Sequence, residues 1–118
     1  MVDTPHLDEE ALAELQDVME DEFGILIQTY LNDSRERIDN LKAAIREADA
    51  DAFARTAHSF KGSCINIGAP RLGELCRDAE KAGLENRLND AAPALEAIET
   101  EFQRVTRALE SLMAGDAR

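Results

Sequence analysis

The sequence holds two histidines, His6 and His58, and only His58 stands among residues that could give an imidazole work to do. A neutral imidazole nitrogen is a competent nucleophile near pH 7. Lys61, three residues on, reaches the same space and could offset a group bringing nearly two negative charges, as a phosphoryl group does. Arg55, three residues before, adds positive charge on a chain that is strongly acidic elsewhere. At i+4 stands Gly62. Helical side chains lean toward the N-terminus, so the residue at i+4 covers residue i, and a glycine covers nothing. A glycine inside a helix costs about 1 kcal/mol relative to alanine. That cost points to access: one flank of the imidazole is left open to an incoming group.

These residues need a helix with a defined inner face. Phe53, Ala57, Phe60, Cys64 and Ile67 recur at spacings of four, three, four and three, the pattern of a helix packed in a bundle over Ala52 to Ile67. At ~100° per residue, His58 lies roughly 140° from the centre of that stripe, Lys61 about 80° and Gly62 about 180°. The imidazole therefore faces outward. Ile65 faces outward too, an apolar residue where a polar one is expected, and is read as a candidate docking residue.

The rest of the chain reads as helices. A short one from about Asp8 carries Leu12, Leu15 and Met19, and Met19 to Gly24 turns the chain. A long one from about Phe23 to Ala48 carries Leu26, Tyr30, Ile38, Leu41, Ile45 and Ala48, with polar Ser34 in one apolar position. Asp49-Ala50-Asp51 supplies a stop and an N-cap. Gly68 ends the histidine helix and Pro70 opens the next, with Leu72, Leu75, Cys76 and Ala79 inward and Gly83 as its stop. Asn89 or Asp90 caps a last helix with Leu95, Ile98, Phe102, Val105, Leu109 and Leu112 inward, Pro93 lying in its first turn. The expected fold is all-α, an antiparallel four-helix bundle over about 23–113 with an extra short N-terminal helix over about 8–20, in one domain spanning 1–118.

Composition narrows the partners. Hydrophobic residues make up 44% and charged residues 32%, enough of each for a folded chain, while aromatics at 4% favour helices over sheets. A formal charge of −12 repels phosphate backbones and anionic lipid, so neither nucleic acid nor membrane is expected as a partner. No apolar run approaches a membrane span, and Met1-Val2-Asp3-Thr4-Pro5 is not a signal-peptide start, so a cytoplasmic location is expected. Cys64 and Cys76 are then expected to be reduced, partly buried small apolar residues. His6 is read as a tail residue. A metal-carboxylate bundle needs two Glu-x-x-His pairs, and residue 55 is Arg, so no metal site is expected.

The run Ala57-His58-Ser59-Phe60-Lys61-Gly62-Ser63-Cys64-Ile65-Asn66-Ile67-Gly68-Ala69 resembles the signature of histidine-phosphotransfer (HPt) domains, in type and order over thirteen positions. With the helix lengths, the resemblance covers roughly Phe23 to Leu112. It implies a stand-alone bacterial phosphorelay module in which His58 accepts the phosphoryl group, Lys61 supports it, Gly62 gives access and Ser63 helps position it. In the family a Gln 22 positions after the histidine bonds the imidazole; here that position is Glu80, a departure that keeps an acceptor. A carboxylate taking the Nδ1 proton would leave Nε2 as nucleophile. Glu80 could equally be a surface partner of Arg77 or Lys81.

The implied partners are receiver domains of hybrid sensor histidine kinases and of response regulators, which bring the Mg²⁺; the module needs no cofactor of its own. Phosphoryl transfer asks mainly for positioning and charge compensation, which suits so bare a protein. No glycine-rich nucleotide motif accompanies the histidine, so ATP-dependent kinase activity is not expected. The competing reading is a non-catalytic helical adaptor, which the presence of His58 disfavours. A monomer is the default expectation.

Overall fold

A computed structural model describes residues 5–115. Five α-helices follow one another: α1 Glu9–Met19, α2 Phe23–Arg46, α3 Ala50–Ile67, α4 Pro70–Leu84 and α5 Ala91–Gly115. Short 3₁₀ turns, Glu20–Glu22 and Leu88–Asp90, precede α2 and α5. The last four helices form a bundle, and α1 packs across its end through buried Leu12. Met1 to Thr4, on which the signal-peptide expectation rested, lie outside the described residues. Among the described residues no helix is long and apolar enough to cross a membrane.

The core assembles from the stripes the spacing predicts, with Phe53, Phe60, Cys64, Leu72, Cys76, Ile98, Val105 and Leu109 fully buried. Phe60 and Phe102 meet edge to face, their centroids 6.3 Å apart. Cys64 and Cys76 are free and buried. The Tyr30 hydroxyl lies 3.3 Å from Cys64 Sγ, and burial pushes its ionisation well up. The Cys76 thiol is likewise pushed up, by its side-chain hydrogen bond with Cys64 and then by burial. Both groups stay neutral and serve packing.

Five details depart from the sequence reading. The stripe of α2 is wider than expected, since Phe23, Ile27, Leu31 and Ala44 are also buried: this helix faces both α3 and α5. Ala48, expected on that stripe, lies beyond the helix end, exposed, at φ 52°. The chain reverses there, and Asp49 N–H donates to the Ala44 carbonyl at 2.9 Å. Asp49 then caps α3, accepting from Ala52 N at 3.0 Å, so α3 starts at Ala50, two residues early. Gly83 does not stop α4. It sits inside the helix, and a Cβ on it would lie 2.8 Å from Ala54 Cβ. The turn is made by Asn86 at φ 53°, a residue type that tolerates this region. Leu15, Met19, Leu26, Ile45, Leu75 and Leu112, expected inward, are only partly buried.

At the other end of α3, Gly68 adopts φ 86° and its N–H closes on the Ile65 carbonyl, as a C-terminal glycine should. Its own carbonyl accepts from Asp8 N at 2.7 Å, and Asp8 in turn caps α1 through Ala11 N. The α3–α4 turn thus anchors the N-terminal helix.

Candidate functional site

The site is set by how α3 and α4 run past each other. At one end of the pair Gly83 meets Ala50 and Ala54; at the other Gly73 meets Lys61, Cys64 and Ile65. Residue numbers rise along one helix as they fall along the other, so the helices are antiparallel with a fixed register. Glu80 falls between the two glycines, opposite His58 and Lys61.

The burial of Phe53, Ala57, Phe60 and Cys64 turns His58 outward, with 65% of its side chain exposed. Its Nδ1 lies 2.8 Å from Glu80 Oε2, and the other carboxylate oxygen accepts from Lys61 Nζ at 3.0 Å. Burial raises the proton affinity of Glu80, but the hydrogen bonds and charges of Lys61 and His58 outweigh it, and the carboxyl is held below its ordinary range. An ionised carboxylate only accepts hydrogen bonds, so the hydrogen between Glu80 and the ring sits on Nδ1. In the neutral ring Nε2 then carries the lone pair and is the nucleophilic nitrogen.

Gly62 is exposed, and nothing lies within 4 Å of where its Cβ would stand. The flank beside the imidazole is open. Arg55 is engaged one turn back with Asp51, rather than reaching toward the ring. Ser63 faces away from His58 into a groove of about 470 Å³ between α1, α2 and α3, where Leu15, Met19, Leu26 and Tyr30 also line the walls. Ser59, next to the histidine, accepts from Arg37 Nε of α2 at 3.1 Å. Ile65 is 62% exposed, with its Cγ1 against the Cα side of Gly73. The structure therefore brings His58, Lys61, Gly62 and Glu80 together, and leaves Arg55, Ser63 and Ile65 around the margin.

One charged cluster escaped the sequence reading. Glu101 of α5 is only 1% exposed and takes His6 Nδ1 at 2.5 Å, with Arg71 Nε at 3.3 Å and an Arg104 nitrogen at 3.6 Å. His6, read as a tail residue, is instead tied to the bundle, and Arg71 N–H donates to the Pro5 carbonyl. The signal was present in the spacing: Glu101 stands three residues after Ile98 on the inward face of α5. Among the described residues no group of His, Cys, Asp and Glu is arranged to hold a metal ion.

Comparison with known proteins gives a consistent result. The family model described as Hpt domain matches residues 25–112. The crystal structure of histidine-containing phosphotransfer protein B (HptB) from Pseudomonas aeruginosa is similar at 41% identity, covering 92% of this chain and 95% of that one, with a TM-score of 0.88. Two plant structures share the fold. A putative histidine-containing phosphotransfer protein from rice has 15% identity, 92% and 80% coverage and a TM-score of 0.83. ZmHP2 from maize, a histidine-containing phosphotransfer protein, has 19% identity, 92% and 90% coverage and a TM-score of 0.82. No match is found among curated proteins.

Proposed function

The chain belongs to the Hpt domain family, and from that premise we propose that it carries a phosphoryl group on Nε2 of His58 between the aspartates of two receiver domains, one in a hybrid sensor histidine kinase and one in a response regulator. The observation that carries this reading is the attitude of the imidazole. One ring nitrogen is held by Glu80, and the ring itself is exposed beside an uncovered glycine.

In the accepting step the Nε2 lone pair attacks the phosphorus of an aspartyl phosphate. The N–P bond forms as the acyl P–O bond breaks, and the receiver's aspartate leaves as carboxylate. Passing the group onward reverses these bonds. The module's share is positioning, with Lys61 offsetting phosphoryl charge and Gly62 leaving room for the partner. Arg55 contributes charge at longer range, and Ile65 and the neighbouring exposed surface meet the receiver. The Mg²⁺ belongs to the receiver, and the module acts without a cofactor or ATP-dependent activity of its own.

The test treats the purified protein and its His58→Gln variant with phosphoramidate, locates acid-labile phosphate by mass spectrometry, and then adds receiver domains with Mg²⁺. Label on His58, lost rapidly to a receiver and missing from the variant, is expected. A folded protein that stays unlabelled, or labels equally without His58, overturns the proposal and favours an adaptor role.

A further inference from the structure

His58 is flanked on its α4 side by Glu80 and Lys61, and on its α2 side by a second pair that the chemical step leaves unused. Arg37 of α2 is half-buried and donates through Nε to the hydroxyl of Ser59, the residue next to His58, at 3.1 Å. We propose that Arg37 is a specificity-determining residue whose guanidinium receives a carboxylate side chain on the receiver surface, beside the aspartate that exchanges the phosphoryl group. This deepens the phosphotransfer reading and rests on it.

Arg37 differs from the other cations around the ring in how it is held. Lys61 is paired with Glu80 and Arg55 with Asp51. Arg77 and Lys81 of α4 are exposed, and among the described residues no bond holds either, so a docking partner must first immobilise a long side chain. Arg37 is already fixed, and by a neutral hydroxyl. Asp33 and Glu36 share its groove of about 360 Å³ between α2 and α3, yet neither pairs with it. Nε is engaged by Ser59, which leaves the N–H groups on the two terminal nitrogens to take both oxygens of a carboxylate at once.

The wider charge pattern explains why such a group is needed here. From Leu7 to Ser34 nine side chains are acidic and none is Lys or Arg, so α1 and the first half of α2 repel an acidic partner. A receiver brings carboxylates to the encounter, since it must hold the Mg²⁺. Arg37 stands three residues past that acidic stretch, one residue from His58 across the helix pair. A receiver that presents a carboxylate there gains a charge-assisted pair, and one that presents Lys or Arg meets repulsion. The pair forms on docking and stays the same while the phosphoryl group moves, so it selects among receivers without speeding the chemical step.

The experiment phosphorylates the full chain with phosphoramidate and follows transfer to a receiver domain that takes the label, by rapid quench over a range of receiver concentrations, in about 0.05 M and about 1 M salt. Arg37→Gln should raise the half-saturating receiver concentration about 10-fold at low salt and keep the limiting rate, and the gap should close at high salt. Arg37→Lys, which keeps the charge but loses the fork, should fall between. Arg46→Gln removes an exposed cation about 13 Å further along α2 and should match the wild type. An unchanged half-saturating concentration in folded Arg37→Gln overturns the proposal, as does a loss that persists at high salt. A loss confined to the limiting rate also overturns it, and puts the guanidinium on the phosphoryl group instead. If Arg37→Gln does not fold, Arg37→Lys decides, and wild-type transfer by that variant at low salt overturns the proposal. Wild-type label that reaches no receiver is a separate result, and overturns the phosphotransfer reading beneath this one.

Discussion

A Cβ built on Gly83 of α4 would stand 2.8 Å from the Cβ of Ala54 on α3, and 2.9 Å from both the Ala54 nitrogen and the Ala50 carbonyl oxygen. The two helices touch backbone to backbone at this point. Three residues before it on α4, Glu80 meets His58 and Lys61. The close crossing is what brings a glutamate on one helix within hydrogen-bond reach of an imidazole on the next.

Gly83→Ala should therefore destabilise the fold. Backbone atoms cannot swing aside as side chains do, so overpacking of about 1–3 kcal/mol outweighs the ~1 kcal/mol gained in helix propensity. A lower urea midpoint with an unchanged slope, and a net loss of up to about 2 kcal/mol, are expected.

Gly62→Ala should do the opposite. Nothing lies within 4 Å of its missing Cβ, so alanine brings only the propensity gain, roughly 0.5–1 kcal/mol of added stability. The methyl group would stand on the open flank of His58, and phosphoryl transfer to a receiver should slow. Parallel thermal melts and transfer rates check both halves; a variant that is more stable and equally fast would show that the open flank is not used.

The Glu80 contacts should register in acid stability. Its carboxyl is held below the ordinary value of 4.5 in the folded state, so the unfolded state takes up its proton first as pH falls. The stabilisation is fully present above about pH 4.5 and is lost as pH drops through the depressed folded value. The stability difference between wild type and Glu80→Gln should thus be largest near pH 7 and shrink below pH ~4. Urea melts at the two pH values measure it, and a difference that grew in acid would contradict the assignment.

Ala48 holds φ 52° in the reversal between α2 and α3. A residue with a Cβ pays about 1–2 kcal/mol there, partly offset in glycine by its extra unfolded-state freedom. Ala48→Gly should raise stability by roughly 0.5–1 kcal/mol, seen as a melting temperature a few degrees higher, with phosphorylation of His58 unchanged.

Much of this molecule was legible in one dimension. The three-and-four spacing of Phe53, Ala57, Phe60, Cys64 and Ile67 depends on nothing but helical geometry, so it placed His58 and Gly62 on the outer face before any neighbour was known. Gly68 and Pro70 act through their own backbones within a turn and mark the helix ends where they were read, while Asp49 caps α3 through its side chain, two residues before the expected start. Gly83 carries the same residue type as Gly68 and was misread, because its reason is Ala54, twenty-nine positions away in sequence, rather than its own dihedral angles.

The sequence by itself determined the helices, their inner faces and the exposed histidine, since those follow from local periodicity and chemistry. Only the tertiary structure decided that Glu80 reaches the imidazole instead of Arg77 or Lys81, that Arg55 turns to Asp51 and Ser63 to the groove, and that His6 is tied to Glu101. Each of those outcomes depends on the register and separation of two helices. Interhelical register is fixed by the sum of many side-chain and glycine contacts across the interface, and no single stretch of chain contains it.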